Sequence, residues 1–120
     1  MSLLIMSTRR INKPWGWEEI IEKNDKYVVK RLFMKEGEQC SLQYHEDKKE
    51  TIIVLQGSLK IKLGQNGKSR HDKILNQQGT VTIKPCEVHR MIGVTDCIYI
   101  ECSTPELDDV IRLEDNYGRA

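Results

Sequence analysis

From Tyr27 onward, apolar and polar positions alternate in short runs broken by Gly, Asn, Pro and Asp, the spacing expected of an all-β sandwich or barrel. "YVVKRLFM", "ETIIVLQ", "SLKIKL", "TVTIK" and "CIYIE" are the clearest strands. In "SLKIKL" the residues Leu59, Ile61 and Leu63 share one face and Lys60 and Lys62 the other, as in a strand with one wet side. "GQNGKS" reads as a tight hairpin turn around Asn66-Gly67, and lacks the upstream glycine a phosphate-binding loop needs. Nothing predicts a long helix. "ELDDVIRLED" after Pro105 fits a turn or two of helix, or another strand.

The same alternation places chemistry. On a strand Gln43 and His45 point one way, beside Ser41, while Leu42 and Tyr44 point the other. The polar "EDKK" can turn the chain, so that Glu50 opens the next strand on the face of Ile52 and Val54. His89, in "KPCEVHRM", follows a turn at Pro85, and distant strands meet across a barrel. Gln43, His45, Glu50 and His89 together would offer two imidazole nitrogens, one carboxylate and one amide oxygen. That set suits one divalent transition metal: zinc first, with manganese, iron, cobalt or nickel as alternatives. In "CIYIE" the residues Cys97, Tyr99 and Glu101 share a face, so Glu101 lines the same pocket if Ile98 and Ile100 pack away from it.

Composition narrows the setting. A chain of 120 residues fits one domain, read here as residues 10–120 after a disordered tail over residues 1–9. With 19 Lys and Arg against 18 Asp and Glu, no excess charge favours nucleic acid or an anionic membrane. "MSLLIM" is too short for a signal peptide, and the expected location is the cytoplasm. Cys40, Cys86, Cys97 and Cys102 form no C-x-x-C pair and read as free thiols, the last two on opposite faces of one strand. His71 reads as a solvated loop histidine, and Trp15 and Trp17 as caps on the barrel end or contacts with a partner subunit.

The order Gly37, Gln43, His45, Glu50, Gly57 resembles the first motif of the cupin family, with glutamine where most members have histidine. Gly79, Pro85 and His89 resemble the second, one residue shorter than usual. The implied fold is a double-stranded β-helix, the cupin jelly-roll barrel. From Lys13 on, "KPWGWEE", "YVVKRLFMKEGEQCSLQYH", "VHR" and "DDVIRLEDNYGR" look like the carboxy-terminal cupin domain of type II mannose-6-phosphate isomerases, often fused to a GDP-mannose pyrophosphorylase. There glutamine at the first ligand position is normal. The resemblance implies metal-dependent aldose-ketose isomerisation of a sugar phosphate, in a homodimer, with Arg112 as a candidate catalytic group; Glu101, placed on the pocket face by alternation, is the candidate base. Lys30, Arg112 and Arg119 match the family's basic positions and suit a phosphate. The chain departs from the family in reading "HEDKKET" where H-H-H-R-A-E-H is typical, in being shorter after "IYIEC", and in having Ser103 for glutamine. These departures bear on catalysis and substrate choice. The alternatives are a non-catalytic sugar or sugar-nucleotide binding module and an Fe-dependent dioxygenase.

Overall fold

The structure is a computed structural model that describes residues 9–65, 70–106 and 108–119. Among the described residues eleven strands are formed: β1 (Arg9–Lys13), β2 (Gly16–Lys23), β3 (Val28–Met34), β4 (Leu42–His45), β5 (Glu50–Gln56), β6 (Leu59–Gly64), β7 (His71–Leu75), β8 (Thr80–Ile83), β9 (Val88–Gly93), β10 (Cys97–Ser103) and β11 (Val110–Glu114). Among the described residues there is no helix, and so none long and apolar enough to cross a membrane. The stretch after Pro105 resolves as strand β11. Asn66 and Gly67 lie outside the described residues, as do residues 1–8; β1 takes in Arg9.

The strands form two antiparallel sheets, ordered β1-β2-β3-β10-β5-β8 and β11-β4-β9-β6-β7. Strands distant in sequence become neighbours, as in a double-sheet jelly roll. The inward residues are those that alternation selects: Leu32 and Met34 on β3, Ile52 and Val54 on β5, Leu59, Ile61 and Leu63 on β6, and Tyr99 on β10. Burial of these side chains supplies the main favourable term for joining the sheets. His71 is exposed, though on edge strand β7 rather than in a loop. On the outer face of the larger sheet Trp17 stacks on Phe33 at 5.8 Å, with the Arg10 guanidinium 4.0 Å from the Trp17 ring centre. Trp15 is buried, 6% exposed, and faces the interior.

Two connections aim the site. Between β8 and β9, Lys84 to Glu87 form a turn with Cys86 at φ 67°, the left-handed region that favours glycine. Its closure is secured by the Cys86 N–H donating to the His45 carbonyl at 2.6 Å. Between β4 and β5, the backbone N–H groups of Glu46, Asp47 and Lys48 all donate to the Asp109 carboxylate, at 3.1, 2.7 and 3.0 Å. These bonds hold the Asp109 carboxyl below its ordinary pKa, the Asp47 contact most of all.

Candidate metal centre

Strand pairing brings the candidate ligands together. Gln43 on β4 lies opposite His89 on β9, and β11 sets Arg112 opposite Gln43 and Val110 opposite His45. Glu50, at the start of β5, projects to the same point from the other sheet. His89 Nε2 stands 3.2 Å and His45 Nε2 3.7 Å from Glu50 Oε1, and the imidazole centres are 5.1 Å apart. All three side chains are buried, and one ligand atom from each lies within 4.8 Å of the others.

The hydrogen bonds around the rings decide what this cluster can hold. His45 Nδ1 donates to the Asp109 carbonyl at 3.1 Å and His89 Nδ1 to the Glu87 carbonyl at 3.0 Å. A carbonyl only accepts, so the proton sits on Nδ1, and the neutral ring presents Nε2 as a lone pair. Both Nε2 atoms and both Glu50 oxygens are buried without a hydrogen-bond partner. Glu50 Oε2 faces the Lys48 ammonium at 3.3 Å, whereas Oε1 and the two Nε2 atoms face one another, and each of these three would cost roughly 1–3 kcal/mol if left unsatisfied. Two imidazoles and a carboxylate arranged in this way can hold a divalent cation, which satisfies all three at once.

Burial works against charge on Glu50, and the Lys48 ammonium, 3.3 Å from its Oε2, works for it. Gln43 lines the cavity from the same strand as His45, its amide oxygen accepting the Ser41 hydroxyl. It shares the inner face with the trio, as alternation predicts.

Above the trio opens a cavity of about 510 Å³, within the usual range for small-molecule sites. Glu101 reaches it from β10, with Ile98 and Ile100 turned to the opposite face. Its carboxyl is raised by burial and by Glu50, with Lys48 and Lys30 opposing. Lys48 Nζ lies 3.2 Å from Glu101 Oε2 and 3.3 Å from Glu50 Oε2, and is itself buried. Lys30 faces the cavity while Arg31 faces outward, paired with Glu19 at 3.3 Å. Lys30 is engaged by Glu18 at 3.5 Å, which also meets Lys13 at 3.8 Å. Arg112 lines the opposite wall with a buried Nε that has no partner.

Arg119 also borders the cavity, but its guanidinium is bound to Asp115 by two bonds of 2.9 and 3.0 Å. The Arg119 side chain and backbone N–H hold the Asp115 carboxyl down to about 2. Sequence reasoning missed Glu18, Lys48 and Asp109 as parts of the site. "EDKK" looks like a solvated turn until Asp109 folds it inward, and the only sequence signal for Lys48 is its place opposite the arginine of the family's H-H-H-R-A-E-H stretch.

Residues 4–115 match the family described as mannose-6-phosphate isomerase C-terminal. The chain belongs to that family. Mannose-1-phosphate guanylyltransferase ManC of Salmonella typhimurium is 30% identical over 123 residues, covering 92% of this chain and 23% of the relative. The xanthan biosynthesis protein XanB of Xanthomonas campestris is 31% identical over 117 residues, covering 92% and 24%. The chain thus spans under a quarter of these relatives' length. Among solved structures, the capsular polysaccharide assembling protein CapF of Staphylococcus aureus superposes with a TM-score of 0.79 at 19% identity, over 90% of this chain and 32% of CapF. KdgF from Halomonas sp. gives 0.72 at 16% identity, over 83% and 90%. At these identities the likeness shows the fold, the double-stranded β-helix of the cupins, which this member of the isomerase C-terminal family shares.

Proposed function

We propose that this chain is a metal-dependent aldose-ketose isomerase acting on a hexose phosphate of the mannose 6-phosphate class. The observation that carries the reading is the trio of His45, Glu50 and His89, with buried, unpartnered ligand atoms converging beneath a cavity lined by Glu101 and Arg112. The relatives' names, which speak of mannose-1-phosphate guanylyl transfer and xanthan biosynthesis, support a phosphorylated mannose as the chemical class.

His45, Glu50 and His89 would hold the ion, with Gln43 as a fourth ligand from the same inner face. A bound divalent ion supplies positive charge that polarises the sugar carbonyl and stabilises the negative charge developing as the proton leaves. The remaining steps belong to the protein. Glu101 takes the proton from the carbon beside the carbonyl and returns it to the former carbonyl carbon, while the hydroxyl proton passes from the adjacent oxygen to the former carbonyl oxygen; the carbon-bound transfer is typically worth roughly 10²–10⁴ in rate. Its raised carboxyl suits it to exchange a proton both ways. Arg112, with an unpartnered buried Nε, is the first partner for the phosphate. Lys30 adds a second positive charge on the facing wall, and Arg119 contributes from its place beside Asp115. Buried Trp15 offers an apolar face to the sugar ring at the cavity edge.

The test is an assay coupling mannose 6-phosphate to fructose 6-phosphate, with each candidate divalent metal supplied. The reading predicts turnover that drops at least about 10²-fold in Glu101→Gln. Absence of turnover with every metal, in protein that binds metal, would overturn it.

A further inference from the structure

The carboxylate of Glu50 is divided. Its Oε1 faces the imidazoles, at 3.2 Å from His89 and 3.7 Å from His45, whereas its Oε2 faces the Lys48 ammonium at 3.3 Å. The same ammonium reaches Glu101 Oε2 at 3.2 Å, with hydrogen-bond geometry. Lys48 is 6% exposed, and its backbone is pinned by Asp109. A lysine buried this far is costly unless paired, and here two carboxylates meet it. It is therefore a fixed part of the cavity floor.

We propose that Lys48 is a positioning residue: by taking Oε2 of Glu50 it leaves Oε1 as the single oxygen offered to a bound ion, and by taking Oε2 of Glu101 it fixes the second carboxylate over the same point. The first half has a chemical consequence. A carboxylate offering one oxygen occupies one coordination position, whereas a bidentate one occupies two, and the difference decides whether a second substrate oxygen can approach. The second half sets direction, because Lys48 ties Glu101 Oε2 to the floor and leaves Oε1 for the substrate. Arginine can meet the same two carboxylates through its charged fork, whereas methionine offers no donor and glutamine only a shorter, uncharged amide. The kinetic part of this proposal rests on the isomerase reading; the coordination part does not.

The experiment uses the full chain loaded with cobalt(II), whose visible absorption reads the number and kind of its ligands. Lys48→Met, Lys48→Gln and Lys48→Arg are compared, Gln serving if Met does not fold. The neutral variants are expected to keep one metal per chain but to show a changed cobalt band, as the freed Oε2 turns to the metal. Lys48→Arg is expected to keep the wild-type band. With mannose 6-phosphate, kcat should fall about 10²-fold in the neutral variants at unchanged KM, and Arg should restore most of it. A wild-type band in a folded neutral variant would overturn the division of Glu50, as would an arginine variant that behaves like glutamine. Absence of turnover in wild type, with the cobalt band responding as expected, would sink the isomerase reading and leave Lys48's positioning role standing.

Discussion

At the scale of single residues, the site depends on groups that bind nothing themselves. Asp109 is the clearest. Its carbonyl fixes the His45 tautomer, and its carboxylate gathers the three N–H groups that carry the chain from His45 to Lys48. Asp109→Ala keeps the carbonyl but releases the loop, so Lys48 and Glu50 lose their aim while the ligands remain. We predict that metal affinity falls about 10-fold, within the range for groups that orient metal ligands, with Asp109→Asn intermediate. Competition against a chromophoric chelator checks this, and unchanged affinity in the alanine variant would remove Asp109 from the site. Three of the ligand candidates were legible from spacing alone, because strand alternation puts Gln43 and His45 on one face and Glu50 starts the next run. Lys48 and Asp109 were not. Their roles arise from contacts 53 and 62 residues apart in sequence, which no local pattern encodes.

At the scale of elements, the turns carry the strain. Gly37 and Gly57 both have left-handed backbones, φ 79° and 81°, yet their surroundings differ. A Cβ on Gly37 would meet nothing within 4 Å, whereas one on Gly57 would lie 2.1 Å from the Asp96 carbonyl. Gly37→Ala should cost only the left-handed penalty, roughly 1–2 kcal/mol, and Gly57→Ala clearly more, because the β5–β6 turn must also move. Urea unfolding of the two variants gives the order, and equal losses would contradict it. The strands named from the pattern, β3, β5, β6, β8 and β10, were readable because buried and less buried positions alternate along them, whereas β7 and β11 bury no such face. The stretch after Pro105 was ambiguous between helix and strand. Its pairing with β4 settles it, and that pairing is a tertiary fact.

At the scale of the whole molecule, two sheets of six and five strands close around one chemical point. The candidate ligands come from both sheets: Gln43, His45 and His89 from one, Glu50 from the other, so the cluster exists only when the sheets are joined. The cavity walls are divided in charge, with Glu18 already engaging Lys13 and Lys30 and Asp115 engaging Arg119, which leaves Arg112 the freer cation. Sequence matching to the isomerases' basic positions named Lys30, Arg112 and Arg119, three of the five basic residues that line the cavity, but only the fold shows which are already paired. The measurement that tests the account most directly is elemental analysis of the purified chain, after exposure to divalent metals and gel filtration, beside His45→Ala and His89→Ala. The account predicts one divalent ion per chain in the wild type and almost none in either variant. A wild-type protein without bound metal, or variants that bind as much as it does, would contradict the metal centre.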